Sequence, residues 1–349
     1  MKKINFVLLA LIILLPVTSC NSGKNTAPLA KADISEFLGQ WTLDIEGGSV
    51  GWLEVRQEDN YLDADLLWVA GSVTPVSGVF LAADSYLVVT QTGNVVRKRD
   101  EEGKPVRQHV VTTWLEIKKN GVDKLTGYRL SPRRNGLGVD STAFTGTKLP
   151  PVPPAPDLSK VKFGEPVVLF NGKDLTGWKL INEKQVNGFK VIDGVLVNDP
   201  VQPGEDGKRI SYGNIMTDRE FEDFNLKLEV NVPEGSNSGV YLRGMYEIQV
   251  FDSYKKPLDS HNMGALYSRI TPSVNAEKPA GEWQSLDITL CDRYLTVILN
   301  GVNIIDNQPV YGPTGGAIKS DVFAPGPVYL QGDHGKVSYR NIVLTPILK

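Results

Sequence analysis

Polar and charged side chains alternate with apolar ones over residues 239–250, and this stretch contains the chain's best candidates for chemistry. Residues two apart in an extended strand share a face. The side chains that this rule places together are those of Tyr241, Arg243, Met245, Glu247 and Gln249. A carboxyl group, a guanidinium and an amide on one face can bind a polar ligand and move a proton. The alternatives are a solvated sheet face and a purely structural ion pair between Arg243 and Glu247.

Short motifs accompany this stretch in a fixed order along the second half of the chain. They are NSGV at 237–240, RG at 243–244, YEIQV at 246–250, GALY at 264–267, KPAGEW at 278–283, NG at 300–301 and QGDHG at 331–335. With LFNGKDLTGW at 169–178 as the opening motif, residues 163–348 resemble the 3-keto-disaccharide hydrolase domain family. The closing motif of that family is Gln-Asp-His-Gly, so Gly332 is an additional residue in this chain.

The resemblance implies a substrate that carries a ketone at C3 of a sugar. Such a ketone makes the C2 proton acidic, so a base can remove it while an electrophile stabilises the enolate. The C1 substituent then leaves, and water adds to the enone. The implied function is cleavage of 3-keto-glycosides, either 3-keto-disaccharides or 3-keto-glucosides, by elimination and rehydration or by net hydrolysis.

The residues of the motifs supply the types that this chemistry needs. Glu247 or His334 is expected to be the general base or acid, and Arg243 is expected to lie near the C3 oxygen. Asp333 is expected to orient His334, because a carboxylate often fixes the tautomer of an imidazole. An ordinary turn histidine at position 334 is the alternative. The residues expected to contact the sugar are Asn237, Gln249, Tyr267, Gln331, His261 and, stacked under a ring, Trp283.

The sequence identifies no cofactor, although a divalent metal would suit enolate stabilisation. The candidate ligands for such a site are the side chains of His261, Glu247, Asp252 and His334. No glycine-rich dinucleotide loop is present, so the oxidation that installs the ketone requires a separate sugar 3-oxidoreductase as a partner. The competing hypotheses are a non-catalytic carbohydrate-binding lipoprotein and a structural scaffold, since fold does not determine function.

The amino terminus has the pattern of a lipoprotein signal peptide. Lys2 and Lys3 precede an apolar stretch at 6–16 that is too short to span a membrane, and VTSC at 17–20 resembles a lipoprotein signal-peptidase site. We expect residues 1–19 to be removed, Cys20 to be lipidated and residues 20–33 to form a tether. The mature protein is then a lipid-anchored membrane protein of the cell envelope that faces the periplasm. An ordinary signal peptide is the alternative.

Charge and cysteine content argue against a nucleic-acid-binding protein and against a protein stabilised by disulfides. The formal net charge is −3, and no basic stripe is present that would neutralise phosphates, so no nucleic-acid partner is expected. Cys20 and Cys291 are the two cysteines, and lipidation of the first prevents a disulfide within the chain. Cys291 lies in a strand-like run and is expected to be a buried, small apolar residue.

A proline-rich segment at 149–162 divides the chain into units at 34–148 and 163–349. Such a segment favours an extended, semi-rigid spacer. Short strand-like segments with turn residues between them fill both units, so the chain is predicted to be all-β with little helix. The first unit is predicted to be a small antiparallel barrel or sandwich, and the second a concanavalin-like jelly-roll sandwich. The tryptophans at 41, 52, 68 and 114 are predicted either to fill the first core or to form a sugar platform.

Overall fold

The structure is a computed structural model that describes residues 33–82, 86–203 and 207–348. The predicted signal peptide, Cys20 and nearly all of the tether lie outside these residues. Within the described ranges, a short 3-10 helix at Ile34–Glu36 is the single helical element and the regular remainder is strand. No helix in these ranges is long and apolar enough to cross a membrane. The all-β prediction is therefore confirmed.

The first unit is one antiparallel sheet with the strand order β4-β3-β2-β1-β9-β8-β7-β6-β5. Its strands are β1 Gly39–Ile45, β2 Ser49–Gln57, β3 Leu62–Leu67, β4 Thr74–Pro75, β5 Gly78–Ala82, β6 Tyr86–Arg99, β7 Pro105–Lys119, β8 Lys124–Pro132 and β9 Val139–Lys148. The sheet curls until its two edges meet. The edge strand β4 pairs with β3, and β5, which follows it in the chain, pairs with β6 at the opposite edge. The short link between β4 and β5 therefore joins the two edges. The amide of Val76 between them donates to the carbonyl of Ala64. The unit is a small barrel.

Alternation along the strands fills the barrel. Leu43 and Ile45 on β1 and Leu115 and Ile117 on β7 are buried two residues apart, so one face of each strand forms the core. Trp41 is fully buried and belongs to this core. Trp52 instead packs with residues of the second unit. The tryptophans therefore form no common sugar platform.

The second unit has two main sheets. Its strands are β10 Lys162–Phe163, β11 Val167–Val168, β12 Trp178–Leu180, β13 Val186–Asn187, β14 Phe189–Ile192, β15 Val195–Asn198, β16 Tyr212–Gly213, β17 Ile215–Thr217, β18 Phe224–Asn231, β19 Asn237–Leu242, β20 Tyr246–Phe251, β21 Trp283–Cys291, β22 Tyr294–Leu299, β23 Val302–Pro309, β24 Tyr329–Leu330 and β25 Val337–Leu348. The larger sheet has the order β14-β15-β25-β18-β21-β22-β23, with β10 and β11 paired to β25. The smaller has the order β12-β17-β24-β19-β20.

These sheets pack face to face as a jelly-roll sandwich. Leu226 and Leu228 of the larger sheet and Val240 and Ile248 of the smaller sheet belong to one buried cluster. Cys291, at the end of β21, is buried as expected. Since the inner face of the smaller sheet is apolar, its other face is available for polar side chains.

The stretch at 239–250 is a hairpin and not the single strand that its alternation predicts. Arg243 and Gly244 adopt positive φ angles of 54° and 66°, and the chain reverses there between β19 and β20. Residues on the two strands face each other with Tyr241 opposite Glu247 and Gly239 opposite Gln249. These side chains therefore meet because they are opposite each other on paired strands, and not because they are two residues apart on one strand.

The proline-rich segment lies along the second unit. Its carbonyl groups at Pro150, Pro153 and Pro156 accept hydrogen bonds from Arg293, Tyr294 and Asn307 respectively. The distances are 3.1, 2.8 and 3.1 Å. Side chains of the second unit therefore hold the segment in place, and it ends in a turn in which the amide of Lys160 donates to the carbonyl of Asp157.

Candidate functional site

Glu247 lies on the outward face of the smaller sheet, among aromatic rings. Its carboxyl Oε2 is 2.7 Å from the hydroxyl of Tyr241, the residue opposite it on β19. The Tyr241 ring stacks on Tyr329 of β24, with 3.8 Å between ring centroids. Glu247 is only 4% exposed, although it is a charged residue type. The fold therefore places a carboxyl group where water is nearly excluded.

Burial raises the pKa of Glu247 to about 8, against the lowering effects of the Tyr241 bond and of the charge on His334. The hydroxyl of Tyr241 also lies 2.7 Å from the carbonyl oxygen of Gly315. Tyr241 has one hydrogen and can donate it to only one of these two oxygens. A protonated Glu247 resolves this, because it donates to Tyr241 while Tyr241 donates to Gly315. The hydrogen-bond pattern and the raised pKa thus indicate the same protonation state at neutral pH.

The second carboxyl oxygen of Glu247 lies over Gly239. A Cβ at position 239 would lie 2.5 Å from Oε1, so a glycine is needed for the carboxyl group to fit there. Within the described part of the chain, Oε1 takes part in no hydrogen bond, whereas Oε2 is held by Tyr241. One oxygen of the carboxyl group is therefore anchored and the other is available to a ligand.

Three amide side chains on the same face carry oxygens without partners. Asn237 and Gln249 belong to the β19–β20 hairpin, and Gln331 follows β24, where its amide N–H donates to the carbonyl of Gly239. The Oδ1 of Asn237 and the Oε1 atoms of Gln249 and Gln331 are buried and accept no hydrogen bond. Buried polar atoms without partners are rare in native proteins and call for a ligand or water. These are three of the residues predicted to contact a sugar.

Asp333 and His334 form a hydrogen-bonded pair at the rim of this face. Oδ1 of Asp333 is 2.7 Å from Nδ1 of His334, and both side chains are close to half exposed. The bond to Asp333 raises the pKa of His334, against the effect of burial. Burial, the largest single effect, raises the pKa of Asp333, but the bond from His334 and the charges of His334 and Arg209 together outweigh it, and the net shift is downward. The charge on Glu247 also raises the pKa of His334, so the two groups influence each other.

The loop that carries this pair is fixed by neighbouring amides. Asn198 donates to the carbonyls of Gly332 and Gly335 at 3.1 and 3.0 Å, and the amide of Gly332 donates to Asn214 at 2.8 Å. A Cβ on Gly332 would collide with the carbonyl oxygen of Gly213 and the ring of Phe189. The additional glycine is therefore required by close packing.

His261 and Tyr267 form a side of the site that contacts the first unit. The amide of Tyr267 donates to the carbonyl of Glu247, and its ring meets the His261 ring edge to face at 4.8 Å. Nδ1 of His261 lies 2.5 Å from Asp259, and Nε2 lies 2.8 Å from the hydroxyl of Ser72. His261 is thus held at both ring nitrogens, and one of its partners belongs to the barrel.

The loop over Tyr241 also rests on the first unit. Trp52 donates to the carbonyl of Tyr311 at 3.2 Å, and the guanidinium of Arg269 lies 4.4 Å from the Trp52 ring while it donates to the carbonyl of Pro313. A Cβ on Gly315 would collide with the carbonyl oxygen of Gly71. The loop whose carbonyl binds Tyr241 is therefore positioned by the barrel.

Arg243 does not share the face of Glu247. Its side chain leaves the hairpin turn and donates to the carbonyls of Val322 and Ala324, at 2.8 and 2.5 Å from Nη2. It is 2% exposed. The expected neighbourhood of Arg243 and Glu247 is wrong because the chain reverses at Arg243, and its guanidinium is bound to main-chain oxygens through Nε and Nη2.

Trp283 also lies elsewhere. It begins β21 of the larger sheet, whose inward residues are Gln284, Leu286, Ile288 and Leu290, so Trp283 faces outward on the opposite side of the sandwich. There the guanidinium of Arg340 lies 4.0 Å from its ring centroid. The predicted stacking under a sugar bound at Glu247 is wrong, because a sequence motif does not reveal which sheet a strand joins.

The four residues considered for a metal are not brought together as a ligand set. The Oδ2 of Asp252 accepts from the amide of Gly235, and His261 is bonded as described above. Among the described residues, the three or more carboxylate, thiol or imidazole groups that do converge are Asp223, Cys291 and Asp292, at the edge of the larger sheet. The face around Glu247 thus offers proton-transfer groups.

Sequence reasoning missed several contributors to this site. Tyr329 is two residues before Gln331 in a strand, so the rule of alternation could have found it. Thr314, whose hydroxyl accepts the amide of Glu247 at 2.9 Å, comes from a loop that carries no such signal. Arg209 is a third, because its charge lowers the pKa of Asp333. Arg209 and Asp333 line a cavity of about 330 Å³ beside the site.

Residues 165–345 match the family model of the 3-keto-alpha-glucoside-1,2-lyase-like domain. A 3-keto-disaccharide hydrolase of Bacteroides thetaiotaomicron is 24% identical over an alignment that covers 39% of this chain and 55% of that protein. The chain thus spans about half the length of this curated relative.

Two crystal structures of candidate glycosyl hydrolases from Parabacteroides distasonis are also similar. The first is 30% identical, covers 56% of this chain and 92% of its own, and has a TM-score of 0.41. The second is 25% identical, covers 53% and 94%, and has a TM-score of 0.44.

Proposed function

This chain belongs to the 3-keto-alpha-glucoside-1,2-lyase-like domain family, and from that membership we propose that its second unit cleaves 3-keto-glycosides. The observation that carries the proposal is a buried carboxyl group, whose pKa is about 8, together with a half-exposed imidazole whose charge acts on it. Groups with a pKa near the working pH are the most effective proton donors and acceptors. The amides of Asn237, Gln249 and Gln331 offer unpaired oxygens to the hydroxyl groups of a sugar.

We assign His334 as the base and Glu247 as the acid. The bond from Nδ1 of His334 to Asp333 leaves Nε2 to accept a proton. Nε2 takes the proton at C2, and the resulting enolate expels the C1 substituent. Glu247 gives its proton to the departing oxygen from Oε1, the oxygen that faces the ligand. For this step Tyr241 donates to Oε2 instead of to Gly315, so that the carboxyl proton resides on Oε1. The products of this step are an enone and the free aglycone. Addition of water to the enone completes a net hydrolysis.

The ketone oxygen needs an electrophile while the enolate forms. Arg243 is bound to carbonyl oxygens and is not placed for this role. We propose Arg209 instead, because its charge acts on both Asp333 and His334 and it lines the adjoining cavity. A divalent metal remains an alternative electrophile, supplied with oxygen ligands by the substrate itself.

The setting of this reaction follows from the sequence. We propose that the protein is anchored to the cell envelope by a lipid on Cys20 and faces the periplasm. We further propose that a separate oxidoreductase supplies the 3-keto-glycoside, because the elimination requires a ketone that must be installed beforehand.

The acid and base roles can be distinguished by comparing substrates with different leaving groups. A 3-keto-glucoside with a nitrophenyl aglycone leaves without protonation, whereas one with a methyl aglycone needs an acid. Glu247→Gln should slow the methyl substrate by roughly a hundredfold or more and the nitrophenyl substrate by less than about tenfold. His334→Gln should slow both, because both need the C2 proton removed.

Glu277→Gln is the matched control. Burial also raises the pKa of Glu277, but its carboxyl group bonds to Ser253, away from the face of Glu247. This variant should keep full activity on both substrates. An equal loss for both substrates in Glu247→Gln would reassign Glu247 as the base. Binding of a 3-keto sugar without any turnover by the unmodified protein would instead identify a carbohydrate-binding lipoprotein.

A further inference from the structure

The first barrel contains a concave cavity of about 860 Å³ at one end. Val89 and Leu115 face each other in the barrel core, and two residues further along the same strands Gln91 and Thr113 face each other at the cavity. The side chain of Gln91 donates to the hydroxyl of Thr74 across the junction of the sheet edges. The cavity is therefore the continuation of the barrel interior, and barrel mouths are frequent sites of ligand binding.

Three arginines and no acidic residue line this cavity: Arg97, Arg129 and Arg134. Arg129 is opposite Leu115 in the β7–β8 pair, so its side chain points into the barrel. Its guanidinium lies 5.3 Å from the Trp68 ring and donates to the hydroxyl of Thr113 at 3.3 Å. Arg97 donates to the carbonyl of Arg134 at 2.9 Å.

These contacts position the arginines but leave their charge uncompensated. Within the described residues, none of the three forms an ion pair, whereas Arg133 on the same hairpin pairs with Asp140 at 2.8 Å. The Nε atoms of Arg97 and Arg129 are also buried without a partner. Burial lowers the pKa of Arg129, which shows that its charged form is poorly solvated. A bound anion would compensate these guanidinium groups for the hydration that burial removes.

We propose that this cavity binds a small anionic saccharide whose carboxylate or sulfate group contacts Arg97 and Arg129. The amide of Gln91 and the hydroxyls of Thr74 and Thr113 provide hydrogen-bonding partners for sugar hydroxyl groups. Val95 and Val111 provide the apolar surface on which a sugar ring rests. The saccharide part of this proposal rests on the proposed function of the second unit, and the anionic part rests on the arginines alone.

The test is calorimetric titration of the full chain carrying Glu247→Gln, so that turnover does not contribute. The probes are glucuronate, glucose 6-sulfate, inorganic sulfate and glucose, each at low and high salt. Glucuronate or glucose 6-sulfate should bind, more weakly at high salt, and glucose should not. Comparison of the two acids distinguishes a carboxylate site from a sulfate site. Inorganic sulfate binding without binding of either sugar would show an anion site and overturn the saccharide part.

Arg129→Gln and Arg97→Gln should each weaken the binding of the acidic sugar about tenfold, because each removes one charge-assisted bond. Arg133→Gln is the matched control and should change nothing, since Arg133 is paired outside the cavity. Circular dichroism confirms that each variant folds. Trp68 supplies a second readout, because displacement of Arg129 over its ring should change its fluorescence, and Trp68→Phe should abolish that change.

The proposal is overturned if glucose binds as well as the acidic sugars, if no probe binds, or if Arg129→Gln and Arg97→Gln bind normally. Each result is independent of the chemistry at Glu247. Loss of turnover with intact binding of the acidic sugar, or the reverse, would therefore separate a failure of the proposed function from a failure of this site.

Discussion

The two concave polar regions of this protein differ in the kind of charged group that they contain. The face around Glu247 buries a carboxyl group whose pKa rises to about 8, so it can exchange a proton near neutral pH. The cavity of the first barrel holds arginines, which keep their charge at any accessible pH. The first region can therefore carry out proton transfer, whereas the second can only attract and hold. Under the two proposals made above, the first region is a site of reaction and the second a site of binding.

The two regions also differ in how they are closed. Loops of both units cover the Glu247 face, and the carbonyl of Gly315 over Tyr241 is packed against Gly71 of the barrel. The barrel cavity is built from the strands of a single unit. The proposed reaction therefore depends on the joining of the units, whereas the proposed binding in the barrel does not.

The largest effect concerns stability against pH in Glu247→Gln. Between the ordinary carboxyl pKa of 4.5 and about 8, folded Glu247 keeps a proton that the unfolded chain releases. Its stabilising contribution is complete at low pH and is lost as pH rises through about 8. The variant does not titrate, so its unfolding free energy should fall less between about pH 5 and 9, by up to about 4 kcal/mol.

Urea unfolding of both proteins across this pH range measures the difference. Arg129→Gln is the counterpart in the other region and should leave the pH dependence unchanged, because arginine does not titrate there. Parallel curves for the unmodified protein and Glu247→Gln would mean that Glu247 is ionised in the folded state.

The next effect concerns the space under Glu247. Gly239→Ala should displace the carboxyl group, because its Cβ would lie 2.5 Å from Oε1, and turnover should fall by roughly a hundredfold. Gly93→Ala, in the barrel cavity, is the control, since a Cβ there meets nothing within 4 Å. Steady-state kinetics on a 3-keto-glucoside checks both. Full activity of Gly239→Ala in a folded protein would show that the position of Oε1 is unimportant.

A smaller effect is expected where the units meet. Ser72→Ala removes the partner of His261 Nε2 and loosens the Tyr267 side of the site, so KM should rise roughly fivefold with little change in kcat. Ser77→Ala is the control, because the exposed Ser77 hydroxyl bonds to the carbonyl of Thr90 within the first unit. An unchanged KM in Ser72→Ala would show that the barrel does not shape substrate binding at this point.

The smallest effect is expected at Trp283. Trp283→Ala removes the ring that Arg340 covers on the outer face of the larger sheet, which should cost about 1 kcal/mol of stability. Turnover should remain within about twofold of normal. A large rise in KM for a 3-keto-glucoside would restore Trp283 to the site and contradict the placement of β21.

Much of the Glu247 site could be predicted from the sequence. Alternation identified Glu247 and Gln249, and the resemblance of the closing motif identified Asp333 and His334. The fold class also followed from strand length and turn residues. These properties are local, since they depend on the pleat of one strand or on residues that are adjacent in the chain.

The errors concern properties that are not local. Arg243 was placed beside Glu247 because nothing in Leu-Arg-Gly-Met marks a reversal as clearly as Asn-Gly does. Trp283 was misplaced because pairing of β21 with β18 is decided by tertiary packing. The pKa of Glu247 and the support from Gly71 likewise depend on loops that are distant in sequence, so composition and spacing carry no sign of them.

The proline-rich segment at 149–162 can change in sequence without losing its attachments to the second unit. Its attachments use the carbonyl oxygens of Pro150, Pro153 and Pro156, and every amino acid supplies such an oxygen. Side chains of this segment can therefore be substituted without loss of these bonds, provided that the path of the backbone is kept. A deletion of one residue would move the acceptors on one side of it by about 3 Å relative to their donors. The attachments therefore depend on the length of the segment more than on the identity of its side chains.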